Sequence, residues 1–157
     1  MVIYIIAVGK LKHPGLRDLC DDYAKRLRGR LRLEIIEVRA AGRREEKAAG
    51  AIRHEADSIR RAIPKNARVF CLTRYGPSEA SEAFADRLAT WKTDGRDVAL
   101  VVGSAFGLDP ALREEAEATL GLSPMTLPHE LARAVLLEQL YRADTILRGE
   151  PYHKGRG

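Results

Sequence analysis

The stretch that decides the fold is DVALVVGSAFGLDP, residues 97–110. Its first six residues form an almost continuous apolar run, which is typical of a strand covered on both faces of a sheet. Gly103 and Gly107 follow that run closely. In parallel α/β sheets, ligands bind beyond the carboxyl ends of the strands, where glycines let the backbone approach a ligand. The turn is therefore either part of a ligand site or a plain tight connection, and the stretch alone leaves both open.

Strand and helix patterns alternate along the rest of the chain. The further strands are predicted from β-branched and apolar runs at residues 2–8, 31–38 and 68–73. The helices are predicted from apolar spacings of three and four, from Pro14 onward, at 44–63, up to Trp91, at 109–118 and at 128–147. The alternation predicts an α/β fold, with a mainly parallel sheet flanked by helices, as a single domain over residues 1–157.

Two local features refine this prediction. The segment SPMTL, residues 123–127, is expected to be either a last strand or an ordered loop. Ser78 and Ser81 are both candidate N-caps for the helix that ends at Trp91, because Glu82 lies close enough to complete a capping arrangement.

Composition restricts the class of protein. The chain has 157 residues, of which 45% are hydrophobic and 31% charged, as in globular proteins. No apolar run approaches the roughly 18 residues that span a membrane. Cys20 and Cys71 lie far apart, and neither they nor the four scattered histidines have metal-ligand spacing, so buried free thiols and no metal are expected. A cytoplasmic protein follows from these features.

The net charge of +5 is unevenly distributed. Residues 1–74 hold 18 Lys and Arg against 9 Asp and Glu, whereas residues 75–157 hold 9 against 13. Arginine outnumbers lysine by 20 to 7, and its planar guanidinium can bind phosphate through two hydrogen bonds. The basic half favours nucleic acid as a partner, although a solvated charged surface would have the same composition.

A second stretch with possible chemistry covers residues 120–147. Pro124 and Pro128 stiffen a short apolar segment, which could bind an adenine through backbone groups and aliphatic walls. The helix beyond it has an unusually wide apolar zone, at Leu131, Val135, Leu136, Leu137, Leu140 and Tyr141. Such a zone suits either a helix that packs on the sheet and on a second subunit, or a helix buried within a monomer.

The chain ends in a tail, residues 149–157, that contains Tyr152, His153 and Lys154. An aromatic ring, an imidazole and an ammonium group can respectively stack on a base, accept a proton and contact a phosphate. We therefore expect the tail to have a function.

Three stretches together resemble a known family: TLPHELARAVLLEQLYRADTILRGEPYHK (126–154), WKTDGRDVALVVG (91–103) and VIYIIAVGK (2–10). They are similar to the RlmH (YbeA-type) branch of the SPOUT RNA methyltransferases, over essentially the whole chain. The resemblance implies a homodimeric α/β knot that transfers a methyl group from S-adenosylmethionine (SAM). The implied acceptor is N3 of a pseudouridine in the helix-69 region of 23S rRNA, on the assembled ribosome.

The resemblance also implies site residues. The SAM site would consist of Leu72, Gly103 and the segment Leu122, Ser123, Pro124, Met125, Thr126 and Leu127. For the tail, our own hypothesis from side-chain chemistry is that His153 helps to remove the N3 proton, Arg142 steers the nucleotide or its phosphate, and Tyr152 stacks on a base. Alternatively, the tail only positions the RNA and the proton leaves to solvent.

The chain departs from the family pattern at one turn. The family commonly has Gly-Gly-x-x-Gly there, often with an acidic residue before the last glycine, whereas this chain has Ser104 and Phe106. Two other functions remain as alternatives: a non-enzymatic ribosome-binding or RNA-binding factor, and a SAM enzyme that modifies another RNA.

Overall fold

The computed structural model describes residues 1–41 and 48–154, and within them lie five strands and five helices. The strands are β1 (Ile3–Val8), β2 (Leu33–Val38), β3 (Arg68–Leu72), β4 (Val98–Val102) and β5 (Ala118–Leu120). The helices are α1 (Pro14–Leu27), α2 (Ala48–Ala62), α3 (Ser81–Asp94), α4 (Pro110–Glu115) and α5 (His129–Leu147).

The sheet has the order β2-β1-β4-β3-β5, and all its described strand pairs are parallel. β4 is the middle strand, and Val98 pairs with Ile3 of β1 on one side and with Arg68 of β3 on the other. All five residues of β4 are buried, because helices cover both faces of a parallel sheet. The predicted α/β class is confirmed, as is the prediction that this strand is covered on both faces of the sheet.

The two faces of the sheet have separate cores. Ile3, Ile5 and Leu100 point to a core that includes α1, α3 and α5, with the indole of Trp91 against the ring of Phe70 at a centroid distance of 4.9 Å. Alternate strand residues, such as Ile6 and Val101, point to a second core beneath α2 and α4. Consecutive strand residues face opposite sides of a sheet, so each strand contributes to both cores.

The predicted helix 109–118 is wrong at its end, whereas for residues 123–127 the loop is the alternative that is observed. The last strand is Ala118–Leu120, which overlaps the end of the predicted helix 109–118, and residues 123–127 form a loop. Three residues carry too little pattern to be recognised, and this strand exists because β3 offers it a free edge. The first four residues of the predicted helix 44–63, 44–47, lie outside the described residues.

The predicted N-caps of α3 are also wrong. Ala80 occupies the N-cap position, without a capping side chain. The Ser81 hydroxyl instead donates to Gln139 Oε1 at 2.8 Å, and Ser78 forms a β-bridge with Gly121. Both serines thus serve contacts with distant segments, which local sequence cannot reveal.

Helix α5 lies on the sheet between α1 and α3. Leu136, Leu137 and Leu140 are buried in the core of this same chain. Burial within one chain therefore accounts for much of the wide apolar zone of α5, and the homodimer stays a prediction. Knotting of the chain likewise stays a prediction from the family resemblance.

Two glycines mark a close crossing of backbones beyond the carboxyl ends of β3 and β5. A Cβ atom added to Gly76 would lie 2.5 Å from the carbonyl carbon of Leu120, and one added to Gly121 would lie 2.4 Å from the carbonyl oxygen of Gly76. The amide of Gly121 also donates to Pro77 O at 2.9 Å. Only glycine fits at both positions without displacement of backbone.

A buried carboxylate joins three helices at the far end of α5. Asp144 is fully buried and accepts hydrogen bonds from Lys92 of α3, at 2.8 Å, and from Arg30 and Arg148, at 3.1 and 2.7 Å. Burial by itself raises the pKa of this carboxyl, but the hydrogen bonds from Lys92, Arg148 and Arg30 outweigh it and lower the pKa. Arg30 also forms two hydrogen bonds to Glu150, at the start of the tail.

Both cysteines are buried and unpaired, as the sequence predicts. In the described part of the chain, no helix is long and apolar enough to cross a membrane.

We expect Gly121→Ala to lower the free energy of unfolding by about 1–3 kcal/mol, because the new methyl group displaces backbone. Gly50→Ala is the control, since nothing lies within 4 Å of a Cβ atom there and the site is helical, so a gain of about 0.5–1 kcal/mol is expected. Urea unfolding measures both. Equal effects at the two sites would contradict the close crossing.

We expect Asp144→Asn to lower the free energy of unfolding at pH 7 by about 2 kcal/mol. This loss is smaller than that usual for a broken buried ion pair, because the cations around Asp144 are partly exposed. The folded-state pKa of Asp144 is lowered, so its contribution is fully present above the unfolded value of about 4 and is lost as pH falls from there through the lower folded-state pKa.

Urea unfolding from pH 7 to pH 3 should therefore show wild type and Asp144→Asn converge as pH falls. Asp22→Asn is the control, because Asp22 forms an exposed pair with Arg26 that contributes below about 0.5 kcal/mol. A difference between wild type and Asp144→Asn that does not change with pH would contradict this assignment.

Candidate cofactor pocket and C-terminal tail

A cavity of about 720 Å³ lies at the carboxyl ends of β3, β4 and β5. Its size suits a small-molecule ligand. Seven of the eight residues predicted for the SAM site line it: Leu72, Gly103, Leu122, Ser123, Met125, Thr126 and Leu127. Pro124 lies within the same loop but does not line the cavity. Three loops that are distant in sequence meet here, because parallel strands end at the same edge of the sheet.

Gly103 shapes the wall that follows β4. A Cβ atom added to it would lie 2.6 Å from Gly107 O and 2.9 Å from Leu108 Cγ, so the turn closes on itself without room for a side chain. Gly107 has a φ of +86°, in the left-handed region that favours glycine. The two glycines are thus required by the turn, and the backbone between them faces the cavity.

Ser104 fits where the family commonly has a second glycine. Asn66 is the one non-glycine residue with positive φ in the described chain, so Ser104 has an ordinary backbone conformation. Its hydroxyl donates to Glu55 Oε2 at 2.8 Å and accepts from the Phe106 amide at 3.2 Å. Glu55, on α2, is buried and also accepts from the Ala41 amide at 3.0 Å. The serine therefore anchors the turn to α2.

Exposed apolar side chains surround the mouth of the cavity. Tyr75, Phe106 and Met125 are 74%, 58% and 77% exposed. The guanidinium of Arg74 lies over the Tyr75 ring, 4.4 Å from its centroid. Such a rim could stack on unpaired bases. The sequence analysis missed Arg74 and Tyr75 because they follow a strand without any recognisable motif.

The charged side chains that line the cavity are basic. Among the described residues that line the cavity, Arg74, Arg113 and His129 are basic and none is acidic. Phe106 occupies the position where the family often has an acid, so this chain offers no carboxylate there. Within the described residues, no group of three or more His, Cys, Asp or Glu side chains is placed to hold a metal ion.

The tail packs against its own chain. The Tyr152 ring contacts that of Tyr141 edge to face at a centroid distance of 4.9 Å, and its hydroxyl bonds to Tyr23 Oη and Glu138 Oε1, both at 3.0 Å. Burial, together with these two hydrogen bonds, raises the pKa of the Tyr152 hydroxyl. Tyr152 is therefore a neutral hydrogen-bonding group, held in place by three helical residues.

His153 is held between two charged side chains. Arg142 Nη1 lies 3.2 Å from His153 Nδ1, and Glu82 Oε1 lies 2.9 Å from His153 Nε2. A guanidinium can only donate, so Nδ1 accepts and Nε2 carries the proton that is donated to Glu82. The hydrogen bond from His153 lowers the pKa of Glu82. Arg142 also pairs with Glu138, and Glu82 and Glu138 are site residues that sequence reasoning missed.

The structure does not bring the tail and the cavity together within one chain. Ala132 of α5 lines the cavity, whereas Glu138 and Arg142, the α5 residues that the tail contacts, lie six and ten residues further along the helix. At the rise of an α-helix these separations are about 9 and 15 Å. The predicted catalytic residues therefore form one cluster, and the predicted cofactor residues form another.

Comparison with known proteins identifies similar sequences over nearly the whole chain. Residues 1–153 match the family model described as "Predicted SPOUT methyltransferase". A protein of Anaeromyxobacter sp. (strain Fw109-5), named "Ribosomal RNA large subunit methyltransferase H", is 46% identical over 154 residues, which cover 98% of this chain and 100% of the relative. A protein of the same name from Roseobacter denitrificans is 45% identical over 161 residues, covering 98% and 99%.

A solved structure with a similar fold is a probable methyltransferase from Bordetella pertussis Tohama I. It has a TM-score of 0.55 and 19% sequence identity, and covers 90% of this chain and 95% of its own. At this identity the likeness concerns the fold alone.

We expect Ser104→Ala to lower the free energy of unfolding by about 1–2 kcal/mol, because the buried Glu55 carboxylate loses a hydrogen-bond donor. Ser58→Ala is the control, since that hydroxyl bonds to the His54 carbonyl on the outer side of α2 and its loss should change little. Urea unfolding compares the two variants. A loss for Ser104→Ala no larger than that for Ser58→Ala would contradict the anchoring role.

Proposed function

The chain belongs to the SPOUT methyltransferase family, and from that premise we propose that it methylates N3 of a pseudouridine in the helix-69 region of 23S rRNA, on the assembled ribosome. The observation that carries the proposal is the cavity, in which three loops distant in sequence bring seven predicted cofactor residues together. The names of the relatives specify large-subunit ribosomal RNA. The position on the pseudouridine comes from the branch that the sequence resembles.

The residues of the cavity fit SAM as the methyl donor. When bound, SAM supplies an electrophilic methyl group. Leu122 and Leu127 provide aliphatic walls beside a loop whose residues line the cavity, which suits an adenine. Gly103 lets the turn after β4 close tightly, and the backbone of that turn forms another part of the wall.

The tail provides groups that can handle the proton of the acceptor. N3 of pseudouridine is a good nucleophile only as its imide proton leaves. In the tautomer that Arg142 and Glu82 select, His153 Nδ1 is the atom with a free electron pair. We propose that the substrate displaces Arg142 from Nδ1, that Nδ1 accepts the N3 proton, and that Glu82 stabilises the resulting imidazolium. Arg142 is then available for a phosphate, and Tyr152 for contact with a base.

The separation within one chain supports a homodimer. A tail that contacts α5 about 9–15 Å beyond its own cavity can act on the methyl donor if it lies at the cavity of a second subunit. We propose this arrangement, in the cytoplasm, where ribosomes are available as substrate.

Methyl transfer from labelled SAM tests the function. Intact ribosomes from cells that lack this enzyme are the acceptor, and free rRNA is the control. Label on a 23S rRNA pseudouridine is expected with ribosomes. Label on another RNA or on a ribose would support a different SAM enzyme, and no label despite salt-sensitive ribosome binding would support a non-enzymatic RNA-binding factor.

Mixed dimers test where the tail acts. We expect His153→Ala and Gly103→Val homodimers each to lose methylation about 100-fold or more, the first without its proton acceptor and the second with a blocked cavity. The two variants are then mixed in equal amounts, unfolded and refolded, so that half of the dimers contain one subunit of each variant. If the tail serves the other subunit, each mixed dimer has one intact site out of two. The mixture should then recover about a quarter of wild-type activity. No recovery would place tail and cavity of one chain in the same site.

A further inference from the structure

Arg113 is a basic side chain of the cavity wall that the proposed function does not use. It lies on α4, directly after the turn of Gly103 and Gly107, and lines the cavity. Its Nε atom is buried and has no hydrogen-bond partner within the described chain. α4 packs next to the end of β3, where Cys71 Sγ lies 3.9 Å from Leu112 O, so Arg113 stands close behind the cofactor residue Leu72.

The nearby carboxylates are already engaged. Glu115 pairs with Arg60 of α2 at 2.8 Å, and Asp109 accepts from the amides of its own helix start at 2.9 and 3.2 Å. Buried polar groups in native proteins are almost always hydrogen-bonded, and an arginine is always charged. Because Nε itself is buried, an anion in the cavity would meet the outer end of the guanidinium, its two Nη atoms. A cationic side chain in the cavity wall, with nearby carboxylates already engaged elsewhere, points to such an anion.

The cavity limits what that anion can be. Its described lining contains no acidic residue, so a negative charge meets no repulsion there. Resting on the proposed function, the ligand that fills the cavity is SAM. Its adenosine part is uncharged, its sulfonium and α-ammonium groups are positive, and its one negative group is the carboxylate at the amino-acid end. Arginine and carboxylate match in a planar, two-bond geometry.

We propose that Arg113 binds the carboxylate of the amino-acid end of SAM, and so selects the cofactor against adenosine compounds that lack this end. An RNA phosphate is the less suitable partner, because the cavity has the size of a small-molecule site and the backbone of a folded RNA would have to enter it. Arg74, exposed at the rim, is better placed for phosphate.

Isothermal titration with two ligands tests the proposal. S-adenosylhomocysteine carries the amino-acid end, whereas 5′-methylthioadenosine has the same thioether and adenosine without it. We expect wild type to bind S-adenosylhomocysteine about 10–100-fold more tightly. Arg113→Gln should weaken S-adenosylhomocysteine about tenfold or more and leave methylthioadenosine unchanged. Arg113→Lys, which keeps the charge but not the two-bond geometry, should give an intermediate loss.

Arg96→Gln is the matched control. It removes one arginine charge just before β4, at the amino ends of the strands and away from the cavity, and should change neither affinity. An equal loss of both ligands in the Arg113 variants would show a structural role and overturn the assignment. Unchanged binding of both ligands with weaker ribosome binding would assign Arg113 to phosphate and also overturn it. Wild-type protein that binds neither ligand would overturn the proposed function together with this assignment.

Discussion

The contact between the backbones at Gly76 and Gly121 is the constraint on which the cavity depends. The chain after β3 and the chain after β5 meet there with no side chain between them. A third glycine, Gly103, closes the turn after β4 in the same way. Because the loops are fixed by backbone contacts, their side chains and free backbone groups remain available for a ligand. Close packing of backbones thus produces a preformed pocket, which lowers the ordering entropy that binding has to offset.

The two ends of α5 contribute to different groups of residues, because the helix is long. Its first residue lines the cavity, and its last turns hold Arg142 and the root of the tail. In one chain Tyr152 and His153 are already satisfied by Tyr23, Glu138, Glu82 and Arg142. Any substrate must exchange these hydrogen bonds for its own. Such exchange favours a partner that supplies several polar groups at once, as a folded RNA does.

Ion pairs fix the place from which the tail starts. Arg30 bonds both to the buried Asp144 and to Glu150, so α1, α5 and the first residues of the tail are joined through one guanidinium. Lys92 adds α3 to the same carboxylate. Charges that are buried and fully paired resist displacement, because leaving one partner unpaired is costly. The tail is therefore held in place at Glu150, and its polar functional groups follow at Tyr152 and His153.

The sequence by itself determined the α/β class, the strand buried on both faces and the loops that line the cavity, because apolar periodicity and glycines are local signals. The tertiary structure alone decided which distant groups meet. It placed Glu55 behind Ser104, paired the three residues of β5 with β3, and left Arg113 Nε without a partner. It also placed the tail against Glu138 and Arg142, further along α5 than the residues that line the cavity. These features depend on contacts between residues far apart in the chain, whose free energy no local pattern encodes.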